Sequence, residues 1–454
     1  MNFLLQPAYR AASEISAELR RRGFAAYFAG GCVRDLLLDV APKDYDVATS
    51  ATPDVVLEMF PRTQAVGAHF GVVLVVTEVG GEDVMTEVAT FRMDGAYSDG
   101  RRPDAVSYTT DPRQDVLRRD FTINGMLLDP VNLAATEDVA SATLDFVGGQ
   151  TDLLRRVVHA IGNPVERFTE DKLRMLRGVR FAARFEFDVE AATFAAMREL
   201  APRIHEVSAE RVRDELTRML TEGHARRAFE LLDATGLLAE VLPEIARMKG
   251  VDQPPEYHPE GDVWVHTLLL LEQLPAGCSA TLAWAALLHD VGKPPTFERA
   301  PDRIRFNGHA EVGTRMAAEI CRRLRFSVAD TEQIEALVAN HMRFGDVMQM
   351  RESTLKRFFR LRDFDEHLAL HRIDCLSSHR DLRLYEFAKE RYESLPPEVV
   401  KPRLFVTGND LIAAGYTPGE SFQPMLAAAE DAQLEGRIHS TAEGMELIRA
   451  LFPE

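Results

Sequence analysis

The sequence predicts a mixed α/β domain at the N-terminal end, followed by an all-helical chain that continues to the C-terminal end. Helix and strand patterns alternate over roughly the first 145 residues, whereas helical patterns dominate after about residue 150. Two proline-rich stretches, 252–262 and 394–403, are typical of linkers or domain edges. A chain of 454 residues is also too long for one compact core. We therefore expect two to four domains.

The individual elements follow from the spacing of apolar residues. Residues 8–23 repeat apolar side chains at helical spacing and end in a glycine, which favours a helix that stops there. Residues 70–79 and 84–93 are short apolar runs rich in valine, typical of strands. Residues 170–187 and 208–220 have the period of amphipathic helices. The first part therefore supplies a sheet, and the second part supplies helices.

Composition and charge exclude several classes of protein. The hydrophobic fraction is 46%, and no apolar run approaches the ~20 residues that span a bilayer. The first residues lack the basic and apolar regions of a signal peptide, so we expect a cytoplasmic protein. The formal net charge of −18 argues against non-specific coating of nucleic acid, but it leaves room for a local basic surface. The cysteines are far apart, which argues against a thiolate zinc site.

The stretch GGCVRDLLLDVAPKDYDVATS begins with two glycines and contains two aspartates one residue apart. Side chains at i and i+2 of a strand lie on one face, so Asp44 and Asp46 repel each other unless a cation lies between them. A hard divalent ion such as Mg²⁺ prefers these oxygen ligands. Gly30 and Gly31 can bring backbone N–H groups close to phosphate oxygens, and Arg34 can add charge-assisted hydrogen bonds. For the aspartates alone, the alternative is an exposed charged turn.

A two-metal site usually needs a third carboxylate, and Glu87 is the candidate. It lies in the predicted strand 84–93, where the neighbouring apolar residues Val84, Met85, Val88 and Phe91 predict a buried strand. A buried glutamate is costly without a partner, and a metal ion would supply that partner. The alternative is an edge-strand glutamate that faces water.

Five motifs occur in the order GGCVRDLLL, KDYDVATSATPD, EVATFRMDGAYSDGRRPD, RRDFTINGM and RFTEDKLRMLRGVRFAARF. This ordered set resembles the bacterial class II nucleotidyltransferases, the family of tRNA nucleotidyltransferases (CCA-adding and A-adding enzymes) and poly(A) polymerases. The segment VTGNDLIAAGYTPGESFQPML is similar to the family's tail. The resemblance implies a nucleotidyltransferase head with a polymerase beta-like mixed sheet, then an all-α neck and body and a helical tail.

Three charged residues on the predicted helix 170–187, Glu170, Asp171 and Arg174, have i,i+3 and i,i+4 spacing. Alone, they would form a surface ion pair worth about 0.5 kcal/mol. The resemblance implies instead that they select the base. A carboxylate can accept a hydrogen bond from the exocyclic amine of cytosine or adenine, and an arginine can donate to the ring acceptors. Uracil and guanine would face Asp171 with acceptor against acceptor.

The resemblance also implies which residues contact the sugar and triphosphate. They are Arg118, Arg119, Asp120 and Asn124, with Arg177 and Arg180 on the same helix face as the base-selecting arginine. Each arginine alone could equally be a solvated helix charge. The segment 92–108, rich in glycine, aspartate and arginine, is expected to be a mobile loop that in the family assists the change from C to A.

A second group of candidate ligands lies between residues 251 and 395, in VWVHTLLLLEQL, LLHDVGKPPTF, FNGHAEVGTRMA, VANHMRF and LHRIDCLSS. A lone histidine on an apolar helix is usually a satisfied core residue, but this series resembles the HD phosphohydrolase superfamily. The resemblance assigns a divalent metal to His266, His289, Asp290 and Asp374, and a possible second metal to His309 and His341. A degenerate, purely structural HD domain is the alternative.

Together, these resemblances imply an enzyme that adds CCA, or only the terminal A, to tRNA 3′ ends from CTP and ATP. Mg²⁺ would be held by Asp44 and Asp46 with Glu87 assisting, and the HD domain would use Ni²⁺, Mn²⁺ or Co²⁺ to hydrolyse phosphate esters. The rivals are a poly(A) polymerase, an HD phosphohydrolase whose head only binds RNA, and a non-catalytic tRNA-binding scaffold. The net acidic last 74 residues disfavour the polymerase, whose relatives tend to carry a basic tail.

The expected domains are a nucleotidyltransferase head over 1–150, a helical neck that binds RNA and nucleotide over 151–250, an HD phosphohydrolase domain over 251–395 and a helical tail over 396–454. The oligomeric state and the choice between full CCA addition and A-only addition stay open.

Overall fold

The computed structural model describes residues 3–64, 71–95, 106–255, 258–259 and 261–453. The chain divides into two compact units, Met1–Pro243 and Glu244–Glu454. The junction precedes the proline-rich stretch expected at 252–262, and the finer division into four domains stays a prediction. Within the described ranges, no helix is both long and apolar enough to cross a membrane.

Within the described ranges, the first unit contains eleven strands, which form one large sheet and two two-stranded pairs. Their bounds are β1 (Ala26–Ala29), β2 (Asp46–Thr49), β3 (Thr63–Gln64), β4 (Val72–Val79), β5 (Glu82–Thr90), β6 (Arg92–Asp94), β7 (Val106–Tyr108), β8 (Met126–Leu128), β9 (Thr143–Asp145), β10 (Val157–Val158) and β11 (Asp188–Val189). Seven of them form one mixed sheet in the order β3-β4-β5-β2-β1-β8-β9, in which β2 and β5 are parallel. The predicted mixed sheet of the head is therefore confirmed.

Helices surround this sheet and make up the rest of the unit. They are α1 (Pro7–Arg21), α2 (Gly31–Leu37), α3 (Pro53–Met59), α4 (Pro112–Leu117), α5 (Pro130–Thr136), α6 (Val139–Ala142), α7 (Gly149–Arg155), α8 (Pro164–Glu170), α9 (Leu173–Arg184), α10 (Ala191–Leu200), α11 (Ala209–Thr221), α12 (Ala225–Ala234) and α13 (Leu237–Val241). Short 3₁₀ turns cover Phe3–Leu5, Thr122–Asn124 and Ala201–Glu206. Helix α1 starts with a proline at its first position and packs Ile15 and Leu19 against the sheet.

The segment predicted as a mobile loop, 92–108, begins and ends in strands. β6 and β7 pair antiparallel, with Arg92 opposite Tyr108. The residues between them, 96–105, lie outside the described part, as do residues 65–70 near the start of a predicted strand. The loop prediction is therefore corrected at its two ends, where backbone pairing satisfies the N–H and C=O groups.

The described part of the second unit is helical, apart from a two-stranded hairpin of β12 (Glu298–Arg299) and β13 (Ile304–Arg305). Its helices are α14 (Pro243–Ala246, at the junction), α15 (Val263–Glu272), α16 (Ala280–Leu288), α17 (Lys293–Thr296), α18 (His309–Arg323), α19 (Val328–Asn340), α20 (Glu352–Phe359), α21 (Phe364–Ser377), α22 (Arg383–Ser394), α23 (Pro397–Val400), α24 (Gly408–Ala413), α25 (Phe422–Leu434) and α26 (Thr441–Leu451), with a 3₁₀ turn over His341–Asp346. An aromatic core forms around Phe344, Phe358 and Phe364.

Candidate functional site

The two aspartates of the DYD motif lie at the start of β2. Tyr45 is only 2% exposed, and its hydroxyl donates a hydrogen bond to Gln6 Oε1 at 3.0 Å. The buried tyrosine therefore anchors the DYD motif to the protein core. Asp44 is exposed and Asp46 is half-buried, on the side opposite the tyrosine. Asp46 pairs across the sheet with Ala29. The turn at Gly30 follows directly, and its φ of 73° is in the left-handed region that favours glycine.

Glu87 lies beside Asp46 because of the strand register. β2 and β5 are parallel with Val47 opposite Val88, so the preceding residues of the two strands are also neighbours. Glu87 is exposed, and the prediction that it is buried is wrong. Glu87 lies in β5, which has a neighbouring strand on each side in the sheet. One face of the sheet is nevertheless exposed to solvent at this point, as the 65% exposure of Met85 shows. Val84 and Val88 lie on the opposite face of β5 from Glu87, and the buried Phe91 follows the end of the strand.

Negative charge accumulates around Asp46. Burial and repulsion from Glu87 and Asp44 raise the pKa of Asp46 to about 7, although Arg119 counteracts this shift. Within the described ranges, the three carboxylates do not form a group whose ligand oxygens all lie within 4.8 Å of one another. An ion held by all three would therefore require side-chain movement.

Two predicted triphosphate contacts, Arg118 and Arg119, share one buried carboxylate. Arg118 donates through Nε and Nη2 to Asp115 Oδ1 at 2.8 and 2.6 Å, and Arg119 Nη2 donates to Asp115 Oδ2 at 3.0 Å. Asp115 is 1% exposed. Burial alone would raise its pKa, but the two guanidinium groups lower it below the usual value. The carboxylate therefore stays charged and holds both arginines.

The other residues of the RRDFTINGM motif form a network with two helices. Asp120 Oδ2 accepts hydrogen bonds from Arg177 Nε and lies 2.7 Å from its Nη2, while Asp120 Oδ1 accepts from Asn124 Nδ2 at 3.3 Å. Asn124 Oδ1 accepts from Arg34 Nη1 at 2.5 Å. Arg34 is 5% exposed, also pairs with Asp35, and has its pKa lowered by burial. The structure therefore gives Arg34 protein partners in addition to any ligand.

The trio predicted to select the base is split between two ion pairs. Arg174 Nη1 donates to Glu170 Oε2 at 2.8 Å, as the i,i+4 spacing predicts. Asp171, in contrast, accepts from Arg211 Nη2 of α11 at 2.8 Å. The helix predicted over 170–187 is broken here: α8 ends at Glu170 and α9 begins at Leu173. The cause is local, because Asp171 is extended and its side chain accepts the backbone N–H of Leu173.

Arg180 points to a different partner from Arg174. Its Nε donates to Glu215 Oε2 at 2.7 Å, and its Nη1 lies 3.3 Å from Glu222 Oε2. Both Arg180 and Glu215 are buried. Three charged residues of this region, Asp115, Arg211 and Glu215, were therefore not found from the sequence. Local spacing hints at Asp115, which precedes Arg118 and Arg119 by one helical turn.

The candidate ligands of the second unit form two adjoining groups. One group is His266, His289 and Asp374, and the other is Asp290, His309 and His341; within each group the ligand atoms lie within 4.8 Å of one another. His266 Nε2 is 3.2 Å from His289 Nε2 and 3.1 Å from Asp374 Oδ1. His309 Nε2 is 3.3 Å from His341 Nε2. All six predicted residues are therefore brought together.

Backbone carbonyls orient three of the histidines. Each Nδ1 donates to the carbonyl three residues earlier, at 2.9 Å for His289, 3.0 Å for His309 and 2.7 Å for His341. With the proton on Nδ1, the Nε2 lone pair of each ring points to the other ligands. Burial lowers the pKa of His341 to about 4, which keeps that ring neutral. The tautomers therefore suit a bound cation.

Asp290 lies between the two groups and contacts Lys293, a residue that the sequence did not single out. Lys293 Nζ is 2.7 Å from Asp290 Oδ2 and donates to Gln253 Oε1 at 2.6 Å. Burial would raise the pKa of Asp290, but His289 and Lys293 lower it well below its usual value. The next turn packs tightly, because a Cβ on Gly292 would lie 2.1 Å from the carbonyl oxygen of His309.

A cavity of about 700 Å³ opens onto these ligands. Its lining includes four of the six ligands, Asp290, His309, His341 and Asp374, together with Lys293. Residues 302–307, which include β13, also line it. A volume of this size is typical of small-molecule and nucleotide sites.

Comparison with known families agrees with this division of sites. The family described as Poly A polymerase head domain matches residues 26–159, and the family described as probable RNA and SrmB-binding site of polymerase A matches residues 186–249. The HD domain family matches residues 263–377. The first match contains the DYD motif and the RRD motif, and the third contains all six ligands of the second unit.

Curated relatives include two named CCA-adding enzymes. The Enterococcus faecalis protein is 42% identical over 212 residues, which are 47% of this chain and 49% of the relative. The Streptococcus mutans protein is 36% identical over 284 residues, which are 63% of this chain and 64% of the relative. The chain thus spans about half to nearly two thirds of the length of these relatives.

Solved structures extend the likeness over nearly the whole chain. The Bacillus stearothermophilus CCA-adding enzyme in complex with CTP is similar with a TM-score of 0.73 and 26% identity, covering 98% of this chain and 99% of that one. The Thermotoga maritima CCA-adding enzyme complexed with tRNA has a TM-score of 0.58 and 17% identity over 99% and 98%, which concerns the fold alone. Taken together, these matches show that the chain carries a poly(A) polymerase head domain, a region matching the RNA-binding site of polymerase A and an HD domain, and that it is similar to CCA-adding enzymes.

Proposed function

We propose that the chain is a template-independent nucleotidyltransferase that adds CCA, or only its terminal A, to tRNA 3′ ends from CTP and ATP. The observation that supports this most is the parallel register of β2 and β5, which sets Asp46 beside Glu87 next to the turn at Gly30. Relatives named CCA-adding enzymes, one of them in complex with CTP, support the same substrate class. The cytoplasmic location expected from the sequence stays a prediction.

The carboxylates of this site suit Mg²⁺. All their ligand atoms are oxygens. Burial and repulsion from Glu87 and Asp44 disfavour the charged form of Asp46, and a bound cation would offset both effects. We infer that Asp44, Asp46 and Glu87 are the residues that would hold it. Bound there, Mg²⁺ would supply Lewis-acid chemistry for attack by the RNA 3′-hydroxyl and for departure of pyrophosphate.

The remaining residues of the site would bind and orient the nucleotide. Arg118 and Arg119 carry positive charge toward the triphosphate, with Asp120 and Asn124 contributing to the sugar side through their network. Arg177 and Arg180 would add positive charge along α9. Their protein partners, Asp120 and Glu215, hold them in fixed orientations.

Base selection would fall to Asp171 and Arg174, with Glu170 fixing the arginine plane. The Arg174 guanidinium is held at one end by Glu170 and at the other by the Arg118 carbonyl, which Nη2 contacts at 3.2 Å. The Asp171 carboxylate accepts from Arg211 and from the Leu173 N–H, which leaves acceptor positions for an exocyclic amine. Cytosine and adenine carry this amine, whereas uracil and guanine present a carbonyl.

The test is incubation of the purified chain with tRNA transcripts that end before the CCA sequence, and with an unstructured RNA of the same length. Extension of the transcripts by CTP and ATP, with little extension of the unstructured RNA, supports the proposal. Long adenosine tails on the unstructured RNA would favour a poly(A) polymerase. No incorporation on any RNA would contradict both.

We propose a second activity for the HD domain, hydrolysis of phosphate esters such as a 2′,3′-cyclic phosphate. Two observations favour it. Six candidate ligands lie close together, and the Nδ1 atoms of three histidines donate to backbone carbonyls, which leaves each Nε2 lone pair for a metal ion. His266, His289, Asp290 and Asp374 would hold one divalent ion such as Ni²⁺, Mn²⁺ or Co²⁺, and His309 and His341 would add to a second; such ions supply activation of water. Unchanged 2′,3′-cyclic nucleotides in the presence of each of these ions, and of Mg²⁺, would contradict this activity.

A further inference from the structure

We propose that Asp115 is a positioning residue that links the base of the segment 92–108 to the arginines that bind the triphosphate and to the arginine that selects the base. The inference rests on the proposed nucleotidyl transfer. Asp115 itself would touch neither nucleotide nor metal, because its carboxylate is 1% exposed.

The Asp115 carboxylate contacts three arginines in two chain segments through both of its oxygens. Oδ1 accepts two hydrogen bonds from Arg118, at 2.8 and 2.6 Å, and one from the backbone N–H of Arg92 at 3.3 Å. Oδ2 accepts from Arg119 at 3.0 Å. Arg92 stands opposite Tyr108 in the β6–β7 pair, so it forms the base of the segment between them. One buried charge therefore fixes both the strand pair and the two arginines.

Without this charge, the two guanidinium groups would repel each other. Their side chains are 20% and 18% exposed, so solvent screens them only in part. Arg119 also reaches the glycine turn, since its Nη1 is 3.4 Å from the position that a Cβ on Gly30 would take. This turn directly follows Ala29, which pairs with Asp46 in the sheet. Asp115 thus holds Arg119 beside the turn that borders the proposed metal site.

The connection continues to Arg174. Arg118 follows α4, the helix that carries Asp115, and its carbonyl oxygen accepts a hydrogen bond from Arg174 Nη2 at 3.2 Å. A change in how Asp115 holds Arg118 would therefore move an acceptor that orients the guanidinium of Arg174. We expect Asp115 to influence base discrimination as well as turnover.

The experiment compares Asp115→Asn with Asp111→Asn on the same helix. Asp111 is exposed and caps α4 by accepting the Arg113 N–H at 2.9 Å, and asparagine is an equally good cap. Turnover, equilibrium affinities for CTP and UTP, and near-UV circular dichroism are measured for the wild-type chain and both variants. The affinities need no turnover, so they test Asp115 even if the proposed reaction is wrong.

For Asp115→Asn we expect kcat to fall roughly tenfold to a hundredfold, and the affinity for CTP to fall about tenfold more than the affinity for UTP, so that the preference for CTP narrows. Asp111→Asn should behave like the wild-type chain. Equal turnover and equal preference in the two variants would overturn the proposal. Loss of the near-UV signal in Asp115→Asn alone would also overturn it, because the residue would then act through stability. Absence of incorporation by the wild-type chain would instead count against the proposed function.

Discussion

Asp171 accepts a hydrogen bond from Arg211 across 40 residues of sequence, at 2.8 Å. Helix α11 therefore fixes the carboxylate proposed to face the exocyclic amine, whereas the neighbouring Arg174 depends on Glu170. Asp171 and Arg174, the pair proposed to select the base, are therefore oriented by different residues. Each of these orienting residues can be mutated separately.

Arg174→Ala should relax discrimination between CTP or ATP and UTP or GTP. A lost hydrogen bond to a charged group and an unpaired buried partner each cost about 1–3 kcal/mol, so selectivity should fall roughly tenfold to a hundredfold. Glu170→Ala should give a milder loss, because it removes only an orienting contact. Misincorporation is measured on one tRNA transcript with each triphosphate in turn. A severe Glu170→Ala variant with a silent Arg174→Ala variant would show that the trio is a surface ion pair.

Arg211→Ala should also reduce selectivity, by about threefold to tenfold, because the free carboxylate of Asp171 can turn away from the base. Arg218→Ala is the matched control on the same helix, since that side chain is 54% exposed and Glu215 keeps its bond to Arg180. The same misincorporation assay measures both variants. Identical selectivity in the two would mean that α11 does not orient Asp171.

Contacts between neighbours in sequence could be predicted, but contacts across the fold could not. The Glu170–Arg174 pair follows from helical spacing, and the mixed sheet follows from alternating patterns. The Asp171–Arg211 pair joins the break between α8 and α9 to α11, and the sequence does not reveal that these parts of the chain pack together. The burial of Glu87 was predicted wrongly, because apolar neighbours show that a strand has a core side but do not show which sheet face is open.

The ligands of the HD domain were found because their residue types are distinctive, although they come from separate helices. Histidine and aspartate on apolar segments are costly to bury alone, so several of them together point to a shared partner. Lys293 was not predicted to belong to this site, because a lysine after the end of a helix is commonly exposed. The structure shows that it contacts the site, because its Nζ lies 2.7 Å from Asp290 Oδ2.

His289→Ala with Asp290→Ala should remove phosphohydrolase activity and lower the content of tightly bound divalent metal, because each group of ligands loses a member. Nucleotide addition should be largely spared, since its residues lie in the other unit. Metal analysis and both activity assays are made on one preparation. His439→Ala, at an exposed position of the C-terminal region, is the control. A well-folded double variant that also loses nucleotide addition would reveal tighter coupling of the two sites.

His367→Phe should make the second unit less sensitive to acid. His367 is 1% exposed, neither ring nitrogen has a hydrogen-bond partner among the described residues, and the Phe364 ring lies 5.9 Å away. Burial, aided by Arg343, lowers the pKa of His367 to about 4, although Asp363 opposes this. The unfolded chain binds this proton near pH 6.5, so the folded state loses stability as the pH falls from about 6.5 to about 4.

The expected gain from His367→Phe is up to about 3 kcal/mol at pH 4, and less at pH 7.5. Thermal unfolding of both proteins at pH 5 and pH 7.5 checks this. The difference in melting temperature between the two pH values should shrink in the variant. An unchanged difference would mean that the protonation of His367 does not contribute to acid sensitivity.

The most direct test of the account is nucleotide addition by Asp44→Ala with Asp46→Ala. Three tRNA transcripts, ending before the CCA sequence, after its first C and after its second C, are incubated with CTP and ATP separately. We expect the wild-type chain to extend at least the last transcript with ATP, and the double variant to extend none while keeping the wild-type near-UV spectrum. Removing carboxylates that repel each other costs little stability without metal, so the fold should survive. Extension at the wild-type rate by the double variant would contradict the assignment of this site.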